Sequence, residues 1–358
     1  MIVNNLYLRD YRNISRINIS FHPKINIIVG ENGAGKTNIL ESMVFTSNTR
    51  SFRTSDDEDL IMKGKEASLI EIHGDNDYRV VISRQGKSLF INRQLVLKTS
   101  EFIGRFNCIL FKPSDLELFT QSSKERRKIV DVEIGKIDHE YLNSLVLYTK
   151  LLKDKNHLLK QVSIDNIYLE SIEETMVDKI YLIESRRQEF IDYINEHIQD
   201  IYFKLSNRQD NIFLIYKKCF PIDIDSITQA IKKNHDKDFL YHHTVLGPHR
   251  DDILFKFNDY PIHTIASQGQ KRLVVVSFKL ALARYIETKT NEKPIILLDD
   301  ILSELDLANR QRLLDYIQNF GQTIITTTDI MGLNSLNIGQ VIKIEKGALN
   351  GIDNCSSR

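Results

Sequence analysis

Apolar residues in the first part of the chain recur with a period of two. In NLYLRDYRNISRINISF, Leu6 and Leu8 share one face, and Ile17, Ile19 and Phe21 continue the alternation, the signature of half-buried strands. After a turn at His22-Pro23 comes INIIV (25–29), a short and largely apolar strand of the buried type. A glycine-rich loop follows, and then Ile39, Leu40, Met43 and Val44 fall on one helical face, so the order is strand, loop, helix. SLIEIHG (68–74) and YRVVISR (78–84) flank Asp75-Asn76-Asp77 and predict two paired strands.

The pattern changes after Pro113. From about Ser123 to Leu205 it is amphipathic and helical: Tyr141, Leu145, Tyr148 and Leu152 step along one stripe, and Met176, Ile180, Ile183, Ile191, Ile194, Ile198 and Ile201 form another. QVSIDN (161–166) is placed to turn the chain between them, which predicts a pair of antiparallel helices. No heptad repeat extends them into a long coiled coil. Strand patterning returns in ILFKFNDYPIHTIA (253–266), read as a hairpin turning at Asn258-Asp259. An apolar helix after SQGQ, the buried-type strand in PIILLDD (294–300), a helix around Asn309–Gln318 and the strand QTIITTT (322–328) complete the order. The fold expected is an α/β head of mixed sheet and helices, split in sequence into 1–120 and 240–358, with a mainly helical insertion over 121–239.

Composition narrows this picture without redirecting it. The 358 residues carry 48 basic and 48 acidic side chains, so affinity for nucleic acid must come from local patches and not from bulk charge. Cys108, Cys219 and Cys355 are odd in number and far apart, which is neither a disulfide framework nor a zinc spacing. No apolar run has membrane-spanning length and the amino terminus has no apolar signal core, so a cytoplasmic location is expected.

The chemistry concentrates in a few stretches. GENGAGKT matches the Walker A pattern from Gly30 through Glu31, Asn32, Gly33, Ala34, Gly35 and Lys36 to Thr37, in the strand–loop–helix setting that the motif requires. Its glycines let the backbone curl so that successive N–H groups point at a β-phosphate; Lys36 reaches the β- and γ-phosphates, and the Thr37 hydroxyl ligates Mg²⁺. PIILLDD is the matching Walker B strand, expected beside the P-loop strand. Asp299 is positioned to hold Mg²⁺ through water, and Asp300 to orient or deprotonate the attacking water. An aspartate reaches one methylene less far than a glutamate, so slow hydrolysis is expected. ATP and Mg²⁺ are the implied substrate and cofactor.

Residues 29–37, 266–272 and 294–306 together resemble the ATPase heads of the ABC superfamily. There, a signature helix from one subunit caps the γ-phosphate held by the Walker A loop of the other. Ser267, Gln268, Gly269 and Gln270 match the signature positions, and Ser303, Glu304, Leu305 and Asp306 match the D-loop. The resemblance therefore implies an ATP-dependent homodimer with two composite sites; taken alone, SQGQ is a plain serine N-cap. DYRNI (10–14), TRSFRT (49–54), FKPSDLELF (111–119), KERRKIVD (124–131), GPHRDD (247–252) and LLDDILSELD (297–306) further resemble the RecF family. That implies an SMC-like head and an ATP-dependent DNA-binding protein of recombinational gap repair and the SOS response, with the RecO and RecR proteins as partners in loading the recombinase on gapped DNA. No recognition-helix motif is present, so DNA binding is expected to be sequence-independent. In SMC-like heads an arginine at the place of Arg12 often contacts phosphate.

Departures from the wider pattern bear on γ-phosphate sensing. TTTD (326–329) has no switch histidine, leaving Thr328 or Asp329 in that region, and FKPSDLE has no Q-loop glutamine, leaving Ser114 or Asp115. The candidate DNA contacts are Arg50 and Arg53 around Ser51-Phe52, then Arg126, Arg127 and Lys128 in KERRK, and Lys150 and Lys153 in KLLKDKNHLLK. For each lysine the alternative is a solvated helix face, and for Phe52 it is core packing. His242, His243 and His249 lack a metal-ligand spacing, and a Gly-Pro turn explains GPHRDD better. A transporter ATPase subunit fits poorly, because its interval from Walker A to signature is short. A nucleotide-gated repair scaffold with incidental hydrolysis remains the other reading.

Overall fold

In the computed structural model, which describes residues 1–161, 163, 165–329 and 338–354, the amino-terminal alternation becomes β1 (Val3–Tyr11) and β2 (Ile14–Ser20), followed by β3 (Ile25–Val29) and α1 (Lys36–Asn48). Then come β4 (Ala67–Gly74), β5 (Asp77–Ser83), β6 (Gly86–Ile91), β7 (Gln94–Val96), α2 (Thr99–Phe102) and β8 (Cys108–Phe111). The middle of the chain forms α3 (Ser123–Ile137), α4 (His139–Leu158), α5 (Asn166–Ser206), β9 (Ile212–Lys217), α6 (Ile224–Lys233) and α7 (His235–Tyr241). The remainder is β10 (Asp252–Phe257), β11 (Tyr260–Pro261), α8 (Ile262–Ile265), α9 (Gln268–Thr290), β12 (Ile295–Asp299), α10 (Leu307–Ile317), β13 (Thr323–Thr327), β14 (Ile338–Glu345) and β15 (Ala348–Asn354).

These elements form two units. The first comprises Met1–Leu116, Asp200–Arg208 and Gln268–Arg358. It holds an antiparallel sheet ordered β2-β1-β4-β5-β6-β7 and a second sheet ordered β15-β14-β3-β13-β12-β8. In the second sheet β14, β3, β13, β12 and β8 run parallel and β15 pairs antiparallel at the edge. Parallel strands covered on both faces need apolar residues throughout, and Ile295, Ile296, Leu297, Leu298, Ile324 and Ile325 have no exposed surface. One core joins Leu6, Leu8, Ile17 and Ile19 of the first sheet to Ile39, Leu40 and Met43 of α1 and to Leu297, Ile324 and Ile342 of the second. The apolar run of α9 is buried from Leu273 through Val276 and from Leu280 through Ala283, as expected of a helix packed on several sides.

The second unit comprises Glu117–Gln199 and Gln209–Ser267. Here α5 buries the stripe Ile180, Ile183, Ile191, Ile194 and Ile198, and a small sheet is ordered β11-β10-β9. Three findings correct the sequence reading. Among the described residues the helical stretch holds three helices and not a pair, because Asp138 ends α3 and caps α4, accepting from Tyr141 N; QVSIDN falls partly outside the described residues. Residues 240–267 group with the helical unit, because β10 pairs with β9 over six positions. And β12 does not adjoin β3, since β13 lies between them. The hairpin at Asn258-Asp259 is present, both residues having positive φ.

Candidate functional site

The phosphate loop leaves β3 at the carboxyl ends of the parallel strands, where open α/β sheets place their ligands. Gly33 (φ +82°) and Gly35 (φ +105°) take left-handed backbone conformations that turn the loop into α1. Gly30 is required for another reason: a Cβ there would lie 2.3 Å from the carbonyl oxygen of Ile344 on β14. The loop is braced from outside the motif, with Asn13 Nδ2 donating to Gly33 O (3.1 Å), Asn38 Nδ2 donating to Asn13 Oδ1 (2.7 Å) and Gly347 N donating to Ala34 O (2.8 Å). The Lys36 ammonium donates to the carbonyls of Gly30 (2.6 Å) and Glu31 (3.0 Å). Burial lowers its pKa, and the negative charges of Asp300 and Asp299 oppose that shift.

Thr37 and Asp299, 262 positions apart in sequence, meet here: Thr37 Oγ1 donates to Asp299 Oδ1 at 3.1 Å. Burial raises the Asp299 pKa, while hydrogen bonds from Thr326 and Thr37 pull it down. A hydroxyl and a carboxylate with adjacent oxygens are the hard donors that Mg²⁺ takes, so the residues present fit that ion. Asp300 follows with φ +52°, a left-handed conformation unusual for a non-glycine residue. In the signature run Ser267, Gln268 and Gly269 are exposed, and a Cβ on Gly269 would meet nothing within 4 Å. In the D-loop region Ser303 is exposed and donates to Asp300 O (2.7 Å), Glu304 pairs with Arg272, and Asp306 caps α10, accepting from Asn309 N (2.8 Å).

Arg12 lies in the turn between β1 and β2, with its guanidinium directed at α1. It donates to Glu41 Oε2 (3.0 Å), Glu41 Oε1 (2.8 Å) and the Asp59 carbonyl (2.9 Å). Burial works against its charge, but Glu41 more than compensates and the pKa is raised. Arg53 shares the same carboxylate at 3.3 Å and donates to Asn38 Oδ1 at 2.6 Å. Asn13, not singled out from the sequence, is the residue of this turn that touches the loop. Asp115 pairs with Lys279, Ser114 accepts from Lys112 Nζ (2.7 Å), and Thr328 and Asp329 are exposed.

Among the DNA candidates the structure separates surface from scaffold. Arg50, Lys150 and Lys153 are exposed, and Lys128 reaches Glu125 at 3.6 Å on α3. Arg126 and Arg127 are corrected: Arg126 forms a fork with Asp252 (2.9 and 2.8 Å), and Arg127 is buried and donates to the Asp251 carbonyl. Their geometry is that of structural guanidinium groups. Phe52 packs against the core of its unit. GPHRDD is structural too, since Asp251 accepts from Arg187 Nη1 (3.0 Å), Tyr216 Oη (2.5 Å) and Cys219 N (3.0 Å). His249 bonds Tyr148 Oη at 2.6 Å, and burial pushes its pKa down to about 4. Among the described residues no cluster of three or more His, Cys, Asp or Glu is arranged for a metal, and no helix is long and apolar enough to cross a membrane.

A P-loop whose threonine meets a strand-end aspartate at the carboxyl ends of interior parallel strands, with a separate helical unit, defines an ABC-type ATPase head of the SMC kind. Residues 2–347 match the family described as RecF/RecN/SMC N terminal domain. An Smc head domain from Pyrococcus furiosus has the same fold, with a TM-score of 0.58 at 19% identity over 99% of this chain and 96% of that one. Within this class the likeness is closer to one branch. The DNA replication and repair protein RecF of Lactobacillus johnsonii is 36% identical over 352 residues, covering 93% of this chain and 94% of the relative. A solved structure of the recombination mediator protein RecF-ATP in the RecFOR pathway superposes with a TM-score of 0.88 at 27% identity, covering 97% and 98% of the two chains. The chain belongs to the RecF family of DNA replication and repair proteins.

Proposed function

We propose that this chain is a slow, DNA-stimulated ATPase that uses ATP to switch a sequence-independent grip on double-stranded or gapped DNA during recombinational repair. The observation that carries the reading is the Thr37–Asp299 contact at 3.1 Å beside Lys36, at the mouth of a loop shaped by Gly33 and Gly35. ATP lies with its β- and γ-phosphates along Gly30–Thr37, where loop N–H groups and Lys36 counter the charge. Thr37 and Asp299 would hold Mg²⁺, which would supply further charge neutralisation to the phosphates. Asp300 orients the water that attacks the γ-phosphorus in line with the departing ADP oxygen, and Arg12 is available to a phosphate once released from Glu41.

The Ser267–Gln270 run, exposed over Ser267, Gln268 and Gly269, supports a second part of the proposal. It caps the γ-phosphate held by another copy, with Ser303, Glu304 and Asp306 at the same face, so that two ATP molecules join two heads. The ATPase head is the unit of Met1–Leu116, Asp200–Arg208 and Gln268–Arg358, and the mainly helical unit is the insertion. Exposed Arg50 in the head unit and, separately, exposed Lys150 and Lys153 in the helical unit are each available to the phosphate backbone of DNA. Likeness to a RecFOR-pathway protein favours RecO and RecR as partners, and a place in recombinase loading and the SOS response. The short side chain of Asp300 favours a switch in which binding matters more than turnover.

The test is ATP binding and steady-state hydrolysis, with and without duplex DNA, for the wild type and Asp300→Asn. The variant should bind ATP as the wild type does and hydrolyse it about 100-fold more slowly. Equal hydrolysis rates would remove Asp300 from the chemistry.

A further inference from the structure

The sheet order puts β13 between the strand that feeds the phosphate loop and the strand that ends in the two acids. Register then aligns Thr326 with Ile28 on one side and with Asp299 on the other. The Thr326 side chain has no exposed surface, so its hydroxyl must be satisfied internally. Its proton lies nearer Asp299 Oδ1 (2.8 Å) than the Leu298 carbonyl (3.3 Å), and the hydroxyl oxygen accepts from the backbone N–H of Asp300 at 3.1 Å, which also reaches the Thr326 carbonyl at 3.3 Å. Asp299 Oδ1 is the oxygen that also receives Thr37. On the far side of Asp300, Ser303 Oγ donates to its carbonyl at 2.7 Å.

We infer that Thr326 is a positioning residue: one hydroxyl sets the orientation of the Asp299 carboxylate and holds Asp300 in its left-handed backbone conformation. The inference rests on the nucleotide reading above. Without Thr326, Thr37 alone would tie Oδ1, from the α1 side. Thr326 adds a second tie to Oδ1 from β13, so that the carboxylate is held from two elements. The N–H bond to Asp300 acts on the backbone. A non-glycine residue at φ +52° is held there only by its surroundings, and the two hydroxyls of Thr326 and Ser303 grip its N–H and its carbonyl. Both acids are thus set by one side chain on a strand that carries neither of them.

The experiment compares wild type, Thr326→Val and Thr326→Ser. Valine keeps the shape and removes the hydroxyl; serine keeps the hydroxyl and removes the methyl group. Three quantities are read: Mn²⁺ affinity of the ATP-loaded protein by electron paramagnetic resonance, the Mg²⁺ concentration for half-maximal hydrolysis, and kcat at saturating ATP. Metal-free ATP binding and a thermal melt report whether loop and fold are intact. The expected result is that Thr326→Val loses about tenfold or more in Mn²⁺ affinity and in kcat, as supporting partners of metal ligands usually do, while Thr326→Ser stays within about threefold of wild type. Wild-type Mn²⁺ affinity and kcat in Thr326→Val would overturn the inference. So would an equal loss in Thr326→Ser, which would make the methyl packing responsible. If Thr326→Val does not fold, Thr326→Ser decides alone: a tenfold loss there refutes the role of the hydroxyl, and near wild-type values with an unfolded valine variant support it. A wild type that binds no ATP sinks the nucleotide reading itself, and the inference with it.

Discussion

Glu184 lies on α5 with no exposed surface, and neither of its carboxyl oxygens has a hydrogen-bond partner among the described residues. Burial, reinforced by the charge of Asp251, pushes its pKa from 4.5 up to about 9, against the pull of Arg187 and Lys218. At neutral pH the folded protein therefore holds a proton that the unfolded chain has released. A raised folded pKa means that this group's stability is complete below about pH 4.5 and is lost as pH climbs toward 9. The slope within that window is up to about 1.4 kcal/mol per pH unit. From about pH 6 to about pH 8 the wild type should lose roughly 3 kcal/mol through this residue alone. Glu184→Gln resembles the protonated acid in shape and polarity but has no proton to lose. Urea unfolding of both proteins, followed by circular dichroism across that range, should give curves that diverge with pH, the glutamine variant gaining on the wild type as pH rises. Parallel behaviour, with the difference constant to about 0.5 kcal/mol, would refute the argument.

Two further variants separate roles that the sequence left mixed. Lys150→Glu with Lys153→Glu should weaken duplex binding and lower its salt dependence by about two ion equivalents, whereas Arg126→Ala should cost about 2 kcal/mol of stability by stranding Asp252 with DNA affinity of the folded protein unchanged; an affinity assay over a salt series and a thermal melt decide both. Gly30→Ala places a Cβ 2.3 Å from the Ile344 carbonyl and should lower the melting temperature and abolish ATP binding, and a variant that melts and binds as wild type would show that β14 can move aside.

What was legible in the chain follows from where the information lies. The strand, loop and helix around Gly30–Thr37 were readable because all their signals are local: an apolar run, glycines where φ must be positive, and a helical stripe. Asp299 and Asp300 were readable for the same reason, as acids ending an apolar strand. The insertion of β13 between β3 and β12 was not, because hydrophobic periodicity identifies a parallel strand but not its neighbours. Thr326 stayed hidden with it, one threonine among three in TTTD. Arg126 and Arg127 read as surface charge because their partners, Asp252 and Asp251, stand more than 120 positions away. The boundary near residue 240 was misplaced because β9 is an isolated strand until β10 returns to pair with it.

The central claim is that the phosphate loop of one copy and the Ser267–Gln270 run of another make one site around ATP. Molecular mass in solution, with and without ATP and Mg²⁺, tests it most directly on the wild type and on Ser267→Arg. The account predicts that ATP doubles the mass of the wild type, while Ser267→Arg binds ATP and stays single. A wild-type mass that never changes, with DNA present or absent, would contradict it and return SQGQ to the role of a helix start.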